Sequence, residues 1–460
     1  MDQIAKGAQS KDLIVWGLRL SHKTRLPASF VELIREVQQE ENALEALEAS
    51  IIRVPCGEVT TDGLPQGVVE EIVADKMSDF EAIVIGAGVQ GSYTAYHLSK
   101  NSRTLLIDQF ALPHSRGSSH GQSRIIRKAY PKACYTHMMT ECFQLWKQLE
   151  AEANIELFRQ TGLLLLGQEK DPEFQAMKTT LIDSKVPTTT LSSADFSKRF
   201  PAISLPKNVS AILEETAGIL YADGVLRTLQ DLFRRYGGTI RDGEKVVEIQ
   251  PGKMVTVTTT RGIYRTKNLV ITAGPWTNKL LNLVGLQLPL KTLRIVVCYW
   301  KEKVPGTYGI SNRFPCFLRM INSSVQHQFY GLPSNEYPGL VKVCYHNGSD
   351  ADPDERDIAF RQPSQDVNLL SDFLSKEFPG LDPKPAVIEY CMYTSTPDLD
   401  FILDHHPHHR NIIIGAGFSG HGFKFAPVVG KVLSELCIGK KPSYDLSPFK
   451  IDRFSLKSLL

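Results

Sequence analysis

The sequence predicts an α/β protein: a Rossmann-like dinucleotide-binding domain with an inserted antiparallel-sheet domain and an N-terminal extension. Three stretches predict it. Residues 81–108 read as strand, glycine turn, helix, strand and acid; residues 411–424 repeat the strand and glycine turn; residues 288–389 between them are dense in strand-like runs.

In the first stretch, Ala82-Ile83-Val84-Ile85 is short, apolar and β-branched, the signature of a buried parallel strand. Gly86, Gly88 and Gly91 follow at G-x-G-x-x-G spacing. Gly86 permits the tight turn, Gly88 lets a pyrophosphate approach bare backbone, and Gly91 lets helix and strand pack closely. The next segment, with apolar Tyr93, Ala95 and Leu98, reads as a helix whose first free N–H groups face phosphates. A second apolar run, residues 104–107, ends on Asp108, a carboxylate placed to accept hydrogen bonds from an adenosine ribose. The stretch binds a dinucleotide.

With 460 residues, 42% hydrophobic and 22% charged, the chain is long enough for two or three domains. A net charge of +2 gives no reason to expect nucleic acid or an anionic membrane as a partner. No apolar run approaches the ~20 residues of a spanning helix, and no signal-peptide pattern opens the chain. Eight cysteines are scattered without CxxC pairing, so neither a metal site nor a disulfide framework is expected, and the compartment reads as reducing or intracellular.

Residues 1–76 hold an acidic helical stretch (32–50) and a Gly/Pro-punctuated run without recognisable chemistry. The catalytic fold is expected to begin near Met77, with the preceding part a loosely packed extension or a partner-binding arm. After Asp108, residues 113–127 are rich in Gly, Ser, His and Arg and are expected to cover the cofactor. Arg124 and Arg127 share a face of this segment if it is helical but not if it is extended.

Residues 135–153 read as a helix, 161–167 and 218–221 as strands, and 171–200 as a polar helical segment. Residues 222–237 make an amphipathic helix closed by a glycine pair. Residues 245–249, 254–259 and 264–266 form a β-meander leading to a strand at 268–272 and a small-residue turn. In residues 288–389, strands at 293–300, 328–332 and 340–345 accompany one helix at 367–378. Lys342 and His346, four apart on a strand, point to the same face, toward one pocket or toward solvent. Residues 411–424 then supply a strand and glycines Gly417, Gly420 and Gly422, followed by one helix and a tail. They complete the first domain rather than start another, and their helix aims its positive N-terminus at the cofactor.

Four motifs, in this order, carry a resemblance that covers residues 79–455. They are Gly86-Ala87-Gly88-Val89-Gln90-Gly91, Gly117-Ser118-Ser119-His120-Gly121 with Arg124-Ile125-Ile126-Arg127, Cys391-Met392-Tyr393-Thr394, and Gly417 through Lys424. The chain resembles the monomeric sarcosine oxidase family of flavoproteins. That resemblance implies an FAD-binding domain of the glutathione-reductase/D-amino-acid-oxidase type at 77–165, 215–287 and 390–445. A substrate domain would occupy 166–214 and 288–389.

It also implies FAD attached covalently through Cys391 and contacted by Gly86, Gly88, Gly91, Asp108, Ser118, His120, Arg124, Val247, Gly417, Gly420 and Gly422. Arg127 and Lys424 would clamp a substrate carboxylate, Tyr330 and His346 would flank the amine, and Lys342 would meet O2. Leu318 stands where bacterial members have a pocket methionine. The activity implied is oxidation of sarcosine, L-pipecolate or L-proline to imines with release of H2O2. The alternative is a flavin dehydrogenase passing electrons elsewhere. A monomer that takes only an amino acid and O2 follows. Peroxisomal location by family goes with a C-terminal Ser458-Leu459-Leu460 lacking the basic middle residue of the usual address; the other compartment is the cytoplasm.

Overall fold

A computed structural model describes residues 77–322, 326–356 and 365–454. The expectations placed on residues 1–76 and on the C-terminal tripeptide lie outside them. In chain order the first elements are β1 (Met77–Ile85), α1 (Val89–Ser99), β2 (Thr104–Ile107), β3 (Ser123–Ile126), α2 (Ala133–Ala153), β4 (Phe158–Gln160) and β5 (Leu163–Gln168). There follow α3 (Pro172–Asp183), β6 (Thr188–Leu191), α4 (Ser193–Arg199), β7 (Val209–Glu214), β8 (Gly218–Tyr221), α5 (Ala222–Arg235), β9 (Thr239–Arg241), β10 (Val246–Gln250), β11 (Val255–Thr259) and β12 (Ile263–Ile271). The rest are α6 (Thr277–Leu281), β13 (Lys291–Glu302), β14 (Cys316–Asn322), β15 (Gln326–Leu332), β16 (Leu340–Tyr345), β17 (Ser349–Asp350), α7 (Gln365–Glu377), β18 (Leu381–Ser395), β19 (Ile402–His405), β20 (Ile412–Ala416) and α8 (Ala426–Cys437).

The first sheet runs β10-β11-β12-β1-β2-β9, with β20 paired to β12 and β19 to β20. Strands β1, β2, β12 and β20 run parallel to one another and are wholly apolar at their centres because both faces are covered. Ala82 and Val84 pack with Leu106, Val270 and Ile413 against helices α1, α2, α5 and α8. The alternate residues Ile83 and Ile85 pack with Leu105, Ile271 and Ile414 against the meander residues Val255 and Val257. β20 therefore completes the first sheet, as expected. Helix α5 ends as its glycine pair predicts: Gly237 adopts φ +80° and the Gly238 N–H donates to the Phe233 carbonyl at 2.9 Å.

The second sheet runs β17-β13-β16-β15-β14-β5-β7-β6, and β18 pairs along β13. Its back face packs Val296, Cys298, Trp300, Val341 and Val343 against α7. A buried two-pronged ion pair, Arg319 with Glu377 at 2.8 Å on each prong, fastens that helix to β14. A small sheet, β3-β8-β4, lies in a third layer.

Three expectations need correction. Residues 171–200 are two helices with a strand, β6, between them, because Thr188–Leu191 finds a partner in β7. Residues 264–271 are one strand, not two. Its first half pairs antiparallel with β11 and its second half parallel with β20, which accounts for the change in character along it. The domain cuts expected after 165 and 389 fall inside β5 and β18, both members of the second sheet. The cysteine strand is thus pinned to the second sheet and not to the first.

Candidate active site

The glycines after β1 are demanded by distance. Gly86 has φ +101°, and a Cβ there would stand 2.6 Å from the Thr272 carbonyl oxygen. A Cβ on Gly91 would stand 1.9 Å from the Gly86 oxygen, so α1 can cross its strand only with glycine there. Gly91→Ala is therefore expected to lose about 1–3 kcal/mol or more, seen as a lower urea midpoint. Gly88 is the N-cap of α1, in extended conformation and with no side-chain cap bond. The Val89 N–H of the first turn donates to the Ser119 hydroxyl at 3.0 Å, bringing the polar loop against the helix N-terminus. Asp108, at the end of β2, accepts from the N–H of Ala87 at 2.8 Å and of Phe110 at 2.9 Å. Two of the roughly four lone-pair sites of a carboxylate are used in this way.

Residues 113–122 wrap the same cavity, and Arg124 holds them. Its guanidinium donates to the carbonyls of Ser118 at 2.9 Å, His120 at 2.6 Å and Ser123 at 2.8 Å. Arg124 lies on the extended β3, so it and Arg127 do different work. The His120 ring sits between the carbonyls of Gly117, at 2.6 Å, and Tyr390, at 3.1 Å, bridging loop and cysteine strand. Burial first, then the Arg124 charge, pushes its pKa down to about 4, so the ring is neutral at physiological pH.

The front face of the second sheet closes the cavity. Lys342 stands opposite Tyr299 on the neighbouring strand β13, and Glu389, Cys391 and Tyr393 follow at every second position of β18. All five line the cavity, with Tyr330, Leu318 and His346 from β15, β14 and the end of β16. The two-residue period thus decides the open question: Lys342 and His346 both face the pocket. Tyr393 is the hub. Its hydroxyl lies 3.4 Å from that of Tyr330 and 3.2 Å from Nδ1 of His346. Burial, then Arg127 and Lys424, lowers the His346 pKa to about 3, so its imidazole is uncharged.

Two cations on the cavity wall converge on Tyr130. The Arg127 guanidinium lies 4.1 Å from the centre of the Tyr130 ring and the Lys424 ammonium 5.9 Å from it. Lys424 donates to the His421 carbonyl at 3.3 Å, while Nη1 of Arg127 is buried and makes no hydrogen bond within the protein. Burial, then Arg127 and Arg124, drives the Lys424 pKa well below its usual value. The Glu214 carboxylate, fully buried, accepts from the N–H groups of Lys128 and Ala129 and so fixes the chain just after Arg127. A buried and a half-buried cation held this close are costly unless an anion joins them, and a substrate carboxylate is such an anion.

The cavity measures about 1240 Å³, beyond the ~300–1,000 Å³ usual for a small ligand. That volume has room for a dinucleotide together with a small acid. Among the described residues Cys391 is the only cysteine on its wall. Gly86, Gly88, Asp108, Ser118, His120, Arg124, Val247, Gly420 and Gly422 line it as well. Gly91 and Gly417 stand off the wall. At Gly417, φ is +65° and a Cβ would meet the Thr396 methyl at 2.4 Å. Tyr393, Tyr299, Glu336 and Glu214 were not singled out from sequence. Only Tyr393 carried a usable signal, its i+2 spacing from Cys391.

Residues 81–436 match the family described as FAD dependent oxidoreductase. The chain is 58% identical to peroxisomal sarcosine oxidase of Homo sapiens over 82% of its own length and 96% of that protein. It is 36% identical to monomeric sarcosine oxidase of Bacillus sp. (strain B-0618), over 83% and 98% respectively. Among solved structures, NikD, an unusual amino acid oxidase essential for nikkomycin biosynthesis, superposes with a TM-score of 0.72 over 81% of this chain and 98% of that one. At 24% identity that likeness speaks for the fold alone.

Proposed function

The chain belongs to the FAD dependent oxidoreductase family and, within it, to the sarcosine oxidases, and on that premise we propose that it is a monomeric flavoprotein oxidising secondary amino acids, sarcosine to glycine and formaldehyde among them. One observation carries the reading: a dinucleotide cradle and a two-cation carboxylate pocket share one cavity, with Cys391 and Lys342 on the wall they have in common. The first sheet then acts as the FAD domain and the second as the substrate domain. The peroxisomal names of the human and mouse relatives support a peroxisomal location. L-Pipecolate and L-proline are further substrates on this reading: both keep the carboxylate beside a secondary amine, and Leu318 with Tyr330 lines the pocket.

The residues divide the work. Arg127 and Lys424 hold the carboxylate and so fix the carbon next to nitrogen. The neutral His346 and the Tyr330–Tyr393 pair accept or donate hydrogen bonds beside the amine without adding charge that would repel it. The flavin, when bound, supplies the two-electron acceptor for hydride and returns the electrons to O2. Lys342, buried on the cavity wall, faces the place where negative charge develops on oxygen, and Cys391 supplies the sulfur for a covalent link. Because the amine must be unprotonated to lose hydride, the reductive rate rises with pH through the amine's own titration. His346, already neutral above about pH 3, adds no limb of its own.

Purified protein given sarcosine in air is expected to release H2O2 and formaldehyde. Absence of anaerobic bleaching by sarcosine would sink the assignment. Bleaching without peroxide would instead identify a dehydrogenase. Lys342→Met is expected to slow reoxidation by O2 about 10²–10³-fold and to leave bleaching near native.

A further inference from the structure

We propose that Glu336 is the positioning residue of the oxygen reaction: it stands behind Lys342 and keeps that ammonium charged and aimed at the cavity. This rests on the reading of Lys342 as the cation that meets O2. Glu336 sits in the turn between β15 and β16, off the cavity wall, and its Oε1 is 3.4 Å from Lys342 Nζ. Both side chains are nearly sealed from solvent, at 6% and 7% exposure. The other close acceptor on Nζ is the neutral Ser123 carbonyl at 3.4 Å. Without Glu336, then, the lysine is a buried cation with no close counter-charge among the described residues, and such lysines shed their proton readily.

Glu336 is itself held in place. Its Oε2 accepts from the Tyr299 hydroxyl at 2.6 Å, and Tyr299 is the cross-strand partner of Lys342. Tyr299 also reaches Glu389 at 3.5 Å, and Tyr337 donates to the other Glu389 oxygen at 3.1 Å. The titratable groups around the ammonium are therefore Glu336 and Tyr337 from the turn, Tyr299 from β13, Cys344 from its own strand and Glu389 from β18. Burial, followed by Glu336, pushes the Tyr299 phenol well up, and burial likewise raises Tyr337 and Cys344, so these three are neutral near pH 7. Glu336 is the carboxylate in contact with the ammonium; Glu389 touches it only through Tyr299.

The test uses the flavin-loaded protein and its absorption spectrum from pH 6 to 9, alongside stopped-flow half-reactions. The native spectrum is expected to stay flat. Glu336→Gln keeps the shape and loses the charge. Its spectrum should titrate with a midpoint below 9, and its reoxidation by O2 should fall at least ten-fold across that range. Anaerobic reduction by sarcosine should change less than two-fold. Glu336→Asp, with the charge restored on a shorter stem, should regain most of the flat profile. A Glu336→Gln protein with the native spectrum and reoxidation profile overturns the proposal, and so does an equal loss in both half-reactions. Lys342→Met in parallel separates the two layers: native reoxidation there removes the oxygen reading itself. Slow reoxidation there beside a native-like Glu336→Gln removes only the role of Glu336.

Discussion

Acid-precipitated native protein is expected to leave a yellow pellet, and Cys391→Ala a white pellet under a yellow supernatant. The reason is positional. Of the other buried thiols, Cys142 and Cys437 lie among the helices behind the first sheet, Cys316 under α3, Cys298 on the back face of the second sheet, and Cys344 against Ile295 and Tyr299 but off the cavity wall. Burial pushes these five up, to about 12 for Cys316 and Cys437, which leaves them protonated and poorly nucleophilic. Among the described cysteines Cys391 alone opens on the cavity, its sulfur 3.7 Å from the Ser118 carbonyl of the covering loop. A tether also sets occupancy. Severing it replaces an effective concentration on the order of millimolar or more with whatever FAD is dissolved. Turnover of Cys391→Ala should then become dependent on added FAD, whereas native turnover should not. A pellet that keeps its colour in Cys391→Ala would place the link on another residue.

How far such a site can be read ahead of its structure depends on whether a residue's task is set locally. The glycine turn is local, since Gly86 and Gly91 answer to atoms of adjoining elements, and the spacing carries the whole argument. The facing of Lys342 and His346 is nearly local, because strand period gives everything except which side is the cavity. Tyr299, Glu336 and Glu389 became visible only once the register of β16 on β13 and of β13 on β18 was known, because no spacing in the chain connects positions 299, 336 and 389. Glu214 acts on Lys128 and Ala129 from 86 and 85 residues away, out of reach of any periodicity. The strand at 188–191 failed for the same reason: its three threonines are ambiguous alone, and β7 decides them.

The largest effect on substrate capture is expected at the cation pair. Each charge-assisted bond to the carboxylate is worth about 1.5–3 kcal/mol, or roughly 10–150-fold in kcat/KM. Arg127→Ala and Lys424→Ala should therefore each lose about that much, mostly through KM. The double variant should lose less than the product, since the two charges hold one carboxylate. A structural collapse could imitate a loss of affinity, but it could not imitate the pH signature. In the free protein the Arg127 charge is, after burial, the largest cause holding the Lys424 ammonium below its usual pKa. As pH rises through that value, Lys424 loses its charge and kcat/KM falls, which gives the alkaline limb of the profile. Removing the Arg127 charge raises the Lys424 pKa, so the alkaline limb of Arg127→Ala should move to higher pH while its height drops. The acidic limb, set by the substrate amine, should stay where it is. An alkaline limb that stays fixed in Arg127→Ala, or that survives in Lys424→Met, would show that these two cations do not share one anion.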